Sequence, residues 1–306
     1  MIALKLARVF ASLVTVGLCA TVLAALLPIW PLELFVHFRV QFIVLGLLAI
    51  AGTFALRHRG YFDAAMIATL IHAYSLLPAA PQVSGPTQGT PVRVLVLNVL
   101  TKSSSFKAVA QLIVESRPDV IGLVEVDQRW LDALAPVLTD YTGRIEAPRS
   151  DNFGLALFAR GTVTGEIEYF NSIRPSIVAD VAIGSASLSV ILIHPLPPIS
   201  SSASAALYAE LDTIGVRARS LDNALVMGDF NTTPWSRPYR RLLAFSGLCD
   251  SRDGFGLQST FPSSPWFLRV PIDHLLHGCT IGVTERRVER DVGSDHLPIV
   301  VDLVVP

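Results

Sequence analysis

Cysteine is scarce, with three in 306 residues and none in a CxxC pair, so a zinc knuckle is excluded. No GxxxxGK[ST] segment occurs, which removes support for P-loop nucleotide hydrolysis. No GxSxG elbow occurs either, which counts against a serine hydrolase. Internal repeats and low-complexity tracts are also missing. Charge is nearly absent from the first ninety residues, which hold five basic side chains (Lys5, Arg8, Arg39, Arg57, Arg59) and two acidic ones (Glu33, Asp63). The remainder carries 19 basic and 23 acidic residues. It therefore lacks the basic excess typical of a protein that grips long duplex DNA. Cys19 lies in an apolar run. Cys249 and Cys279 read as buried free thiols, with a disulfide the alternative in an oxidising compartment.

What is present in place of that charge is hydrophobicity: 51 % of the chain is apolar and the mean hydropathy is +0.52. Val9 to Leu32 is an uncharged run of 24 positions, against the ~20 that cross a bilayer as a helix. Val40 to Leu56 is a second run, and it lengthens backwards if Arg39 snorkels to the interface. Ala64 to Ala80 is a third, interrupted by His72 and Pro78. Residues 1–80 thus read as a membrane anchor of about three transmembrane helices. The run is too long, and too closely followed by others, for an ordinary signal peptide. Lys5, Arg8, Arg57 and Arg59 place the N-terminus and the second loop in the cytoplasm. Three crossings then put the rest of the chain on the outer, periplasmic side of a bacterial plasma membrane, whereas two would leave it in the cytoplasm.

Residues 81–91, rich in Pro, Gly, Ser and Thr, read as a linker, and 92–306 as one soluble domain. Buried strands are expected at 92–100, 120–126, 154–159, 177–181, 188–194, 224–227, 274–276 and 299–304. Helices are expected at 105–116, 203–219 and 238–245. That is a mixed α/β domain with a β-rich core.

A polar residue recurs where these strands end: Asn98, Glu125, His194, Asp229 and Asn231, with Asp273 and Asp295-His296 ahead of later apolar runs. Each alone reads as a turn former. Together they offer hard oxygen ligands for Mg²⁺ or Mn²⁺ and two imidazoles for proton work. His274, adjacent to Asp273, points the opposite way on a strand and reads as non-catalytic. His277 reads as surface or structural.

GDFN at 228–231 followed by SDH at 294–296, with the Asn98 and Glu125 strands ahead of them, resembles the endonuclease/exonuclease/phosphatase (DNase I-like) superfamily, including its membrane-anchored bacterial members. The resemblance runs in order from Asn98 to His296. It implies a four-layer α/β/β/α sandwich with the site at one end. It also implies roles: Asn98, Glu125 and Asp295 at the metal; His194 and His296 on the phosphate; Asp229 on the attacking water; Asn231 holding phosphate or water; Asp273 paired with His296. Asn152, in the Asn-Phe-Gly segment at 152–154, is the candidate for substrate binding, or else a plain turn. The function implied is divalent-metal-dependent hydrolysis of phosphodiesters, nucleic acid among them, next to the bilayer. A phospholipid, sphingomyelin-type or sugar-phosphate substrate is the alternative. An inactive, membrane-tethered binding module is a second one. No obligate protein partner is evident.

Overall fold

The computed structural model describes residues 2–27, 29–77 and 88–306. The linker expected at 81–91 lies mostly outside them, as does the end of the third apolar run. The described residues form two compact units, the N-terminal helices and the domain that follows.

The first unit contains α1 (Ile2–Leu26), a 3-10 segment (Leu32–Phe38) continuing into α2 (Arg39–Ala55), and α3 (Arg59–Tyr74). Two of these stretches, Ile2–Leu26 and Leu32–Ala55, are long and apolar enough to cross a membrane. α3 has 16 residues, about 24 Å of helix. Arg39 is buried, with Nη1 3.4 Å from His72 Nδ1, while Thr21 Oγ1 lies 3.1 Å from His72 Nε2.

The second unit is built from β1 (Thr90–Asn98), α4 (Phe106–Ser116), β2 (Val120–Val124), α5 (Gln128–Leu134), β3 (Gly143–Ala147), β4 (Leu155–Ala159), β5 (Thr162–Glu168), β6 (Ser176–Ile183), β7 (Ala186–Ile193), α6 (Ser201–Ala218), β8 (Ala224–Asp229), α7 (Arg237–Ser246), β9 (Cys249–Asp250), β10 (Asp273–His277), β11 (Gly282–Val288) and β12 (Ile299–Val305). Two six-stranded sheets result, ordered β11-β12-β1-β2-β4-β3 and β5-β6-β7-β8-β10-β9. In β1 the alternate residues Val92, Val94 and Val96 turn to a core shared with Val190, Leu192, Leu225 and Met227 of the other sheet. Leu95 and Leu97 turn outward beneath Val109, Leu112 and Trp130 of α4 and α5. α6 and α7 cover the second sheet in the same way through Leu207, Leu211, Ile214 and Leu242. Covered on both faces, the interior strands have to be apolar along their whole length, and the layering is the α/β/β/α sandwich that the resemblance implies.

Register, more than any single contact, assembles the polar strand ends. β1 and β2 run parallel with Asn98 beside Val124, so Glu125 emerges next to Asn98. β7 and β8 run parallel with Ile193 beside Gly228, so His194 emerges next to Asp229. Asp273 lies directly across from Asp229 in the antiparallel β10–β8 pair. Gly228 makes the β7–β8 approach possible: its φ is +136°, and a Cβ there would fall 2.0 Å from the Ile193 carbonyl oxygen. Gly228→Ala is therefore expected to lose more than about 3 kcal/mol, read as a collapse of the cooperative thermal transition.

One expectation is overturned. Cys249 and Cys279 are not free thiols but a disulfide with Cα atoms 5.2 Å apart. The pairing of β9 with β10 sets Cys249 opposite His277, which brings it within reach of the turn holding Cys279. The spacing of 30 residues carries no pairing signal of its own.

Candidate active site

Asn98 is fully buried, and its amide nitrogen donates to Glu125 Oε1 at 2.9 Å and Asp229 Oδ2 at 3.2 Å. One side chain thereby links the two sheets at the end of the sandwich. Glu125 is held in a left-handed conformation, φ +62°, which a non-glycine residue adopts only under local constraint. The constraint is Thr101, whose backbone N–H donates to Glu125 Oε2 and whose hydroxyl donates to the Glu125 carbonyl.

Asp229 lies between two imidazoles. Its Oδ2 is 3.5 Å from His194 Nε2 and 3.6 Å from His296 Nε2, and its Oδ1 accepts from the Asn231 N–H at 2.9 Å. Burial opposes its charge, but the positive field of His296 and His194 prevails and holds it down to about 2. Asn231, itself at φ +52°, donates from its amide to the Pro195 carbonyl. His296 Nδ1 meets Asp273 Oδ2 at 2.9 Å. Burial would depress this imidazole, yet Asp273 and Asp229 overcome it and push the pKa up to about 10. His194 is raised as well: burial works against its charge, and Asp229 and Glu125 outweigh it. Asp273, desolvated, sits above the ordinary carboxylate range. The surrounding acids thus favour the protonated form of both imidazoles, the form that meets an anion.

The geometry brings together Asn98, Glu125, His194, Asp229, Asn231, Asp273 and His296. Asp295 stands beside His296 in sequence, half-buried, with Oδ1 enclosed and lacking a hydrogen-bond partner. Asn152 is exposed, at φ +67°, the conformation of a turn former. Its neighbour Phe153 is the residue that touches the site, with its ring 5.2 Å from His194. Two further contributors carry no sequence signal, because neither is a charged residue at a strand end. They are Thr101, already described, and Phe261, which stacks on His296 at 4.6 Å.

The donor set suits a hard divalent cation. Oδ1 of Asp273, like that of Asp295, is buried without a partner, and a buried oxygen in that state calls for a cation or water. Ligand atoms of Asp229, Asp273 and His296 also lie within 4.8 Å of one another. Four carboxyl groups against two imidazoles leave an excess of acid that a divalent ion would balance.

Residues 95–296 match the Endonuclease/Exonuclease/phosphatase family. The chain belongs to that family. Among solved structures, it is similar to an endonuclease/exonuclease/phosphatase from Beutenbergia cavernae (18 % identity, TM-score 0.57, 71 % of this chain and 72 % of that one). It is also similar to D. rerio TDP2 complexed with a single-strand DNA product (17 %, 0.59, 70 % and 99 %), and to sphingomyelinase C from Streptomyces griseocarneus (16 %, 0.52, 70 % and 99 %). At these identities the likeness is one of fold. No curated protein matches the chain.

His274 faces away from the site, in line with the strand-face argument, and His277 lies at the other end of β10 from Asp273. His274 Nε2 donates to the Thr232 carbonyl at 2.8 Å between the rings of Phe230 and Tyr239. His277 is buried against Gly278. Burial lowers the pKa of His274 from 6.5 to about 4. The folded protein then refuses a proton that the unfolded chain accepts. This contribution is complete above about pH 6.5 and is lost as pH falls toward about 4, by up to about 3 kcal/mol. Denaturant unfolding across that window should steepen accordingly, and His274→Gln, which keeps a donor for Thr232, should flatten part of the slope.

Proposed function

We propose that this family member is a divalent-metal-dependent phosphodiesterase held at a membrane by its N-terminal helices. The observation that carries this reading is the convergence of Glu125, Asp229 and Asp273 with His194 and His296 at one end of the two sheets, with Asp295 adjacent to His296. Glu125, with Asn98 and Asp295, would hold Mg²⁺ or Mn²⁺. When bound, the ion supplies positive charge to a phosphoryl oxygen and so offsets the repulsion that protects an anionic diester. Asp229, ionised and fixed by Asn231 and Asn98, orients the attacking water and accepts its proton as the new P–O bond forms. His296, kept protonated by Asp273, donates to a phosphoryl oxygen as charge accumulates there. His194, whose protonated form Asp229 and Glu125 favour, offers a second N–H on the other side of Asp229. The P–O bond to the leaving group breaks, giving a phosphomonoester and an alcohol.

Solved relatives in fold include one bound to a DNA product and one sphingomyelinase, so both nucleic acid and lipid headgroup enter the test. The full chain in detergent, with Mg²⁺, Mn²⁺ or chelator, is assayed on bis-p-nitrophenyl phosphate, plasmid DNA and phospholipid beside an Asp229→Ala/His296→Ala control. Metal-dependent cleavage lost in the control supports the reading. No cleavage of any substrate, with metal still bound, points to the tethered binding module. The Cys249–Cys279 bond favours the oxidising, outer side of the membrane, which requires α3 to cross along with α1 and α2. An alkaline phosphatase fused to the C-terminus, active only outside, reads this out.

A further inference from the structure

The segment from Gly254 to Leu268 is uncharged throughout. Its base is fixed to the active site. Phe261 and Val270 exchange backbone hydrogen bonds, the Ser263 N–H donates to the Asp295 carbonyl, and the Leu297 N–H donates to the Thr260 carbonyl. Thr260 Oγ1 also lies 3.4 Å from the Asp273 N–H, and Phe261 stacks on His296. The tip, in contrast, faces outward: Trp266 is 74 % exposed, Phe267 58 % and Leu268 41 %, with Leu257 at 43 %. Three consecutive large apolar residues in solvent form a contiguous patch, unlike scattered exposed leucines, and such a patch marks a contact surface. The tip is also braced, because Arg269 folds its guanidinium onto the carbonyls of Pro262 and Ser263.

A second uncharged loop runs from Tyr169 to Ile173, with Ile173 84 % exposed. It leads into Arg174, which is paired with buried Glu210 and lies over Phe153, the ring against His194. Two uncharged loops therefore join the walls of the site at its two histidines.

We infer that the Trp266-Phe267-Leu268 tip docks on a lipid bilayer and that the phosphodiester taken by the site belongs to a membrane lipid. This rests on the phosphodiesterase reading above. Nucleic acid is gripped chiefly through its phosphates by Arg and Lys, and Gly254–Leu268 contains neither, while Arg269 is turned onto its own loop. Trp and Phe beside apolar side chains suit the headgroup boundary of a bilayer. Only twelve residues separate Leu77 from Thr90, a reach of about 40 Å at full extension. With the N-terminal helices in a membrane, this short tether keeps the domain in the neighbourhood of a bilayer.

The test uses the full chain reconstituted in phosphatidylcholine vesicles, with and without sphingomyelin and phosphatidylglycerol. Two readouts are taken. The first is quenching of tryptophan fluorescence by brominated phosphatidylcholine, compared with Trp266→Phe. The second is the ratio of lipid turnover to bis-p-nitrophenyl phosphate turnover in Trp266→Ser/Phe267→Ser, with a single-stranded oligonucleotide as a third substrate. Docking predicts a Trp266 component that bromine quenches, and a ratio reduced by about tenfold or more, the effect of some 1.4 kcal/mol. An unquenched Trp266, an unchanged ratio, or a loss confined to the oligonucleotide (base stacking) overturns the inference. If the wild type cleaves nothing, the phosphodiesterase reading and the lipid substrate fail together, and the quenching still decides whether the tip docks.

Discussion

Asp229→Ala is expected to lower metal-dependent turnover of bis-p-nitrophenyl phosphate by about a thousandfold, within the range that loss of a positioned acid–base group produces. The size follows from the number of partners this one carboxylate serves. It accepts from Asn98 and from the Asn231 N–H, and it lies within 3.6 Å of both histidines. Without it the water has no acceptor, and two imidazoles lose the carboxylate between them. Asp229→Asn keeps the shape and removes the charge, so it separates these effects. If orientation alone mattered, it would restore much of the rate. If proton acceptance matters, it stays within about tenfold of Ala, since each factor of ten is about 1.4 kcal/mol of barrier. Steady-state kinetics at saturating Mn²⁺ and Mg²⁺ check this, and a variant with near-wild-type turnover would remove Asp229 from the chemistry.

The eight strands legible in the sequence are β1, β2, β4, β6, β7, β8, β10 and β12, the interior members of the two sheets. The four that were not legible are β3, β5, β9 and β11, the four edges. An interior strand is buried on both faces and must be apolar, which is the signal that periodicity detects. An edge strand such as Gly143–Ala147 or Thr162–Glu168 is half solvated and carries charge, as edges do to avoid further pairing, so it reads as loop. α5 was missed for its length, seven residues capped by Asp127. The candidate site was legible because an apolar strand that ends abruptly in Asn, Glu, His or Asp is conspicuous. What stayed hidden depends on tertiary approach. Thr101 matters only because the turn after β1 returns to Glu125. Phe261 matters only because a distant hairpin lays it on His296, and the disulfide forms only because β9 pairs with β10. The left-handed conformations of Glu125 and Asn231 are also invisible in a sequence that shows no glycine there.

Glu125 and His296 should respond in opposite ways, which separates holding the ion from using it. Glu125→Gln keeps the side-chain length and leaves Thr101 a partner but removes the charge that a divalent ion needs. The expected result is metal affinity weakened by about tenfold or more, with turnover partly restored at high Mn²⁺. His296→Gln takes a cation away from the site and leaves Asp273 buried with no imidazolium beside it. Metal affinity should hold steady or rise slightly, because net negative charge increases. Turnover should drop by about 100- to 1000-fold at saturating metal, the loss typical of removing one donor to developing charge. Metal binding by isothermal titration calorimetry, set beside kinetics on the same preparations, discriminates the two. Loss of metal binding in His296→Gln with retention in Glu125→Gln would invert the assignment and place the ion in the Asp229, Asp273 and His296 cluster. In that case the contact of Asp273 with His296 Nδ1 at 2.9 Å would orient the ring with Nε2 toward the ion, the usual role of a carboxylate behind a ligating histidine.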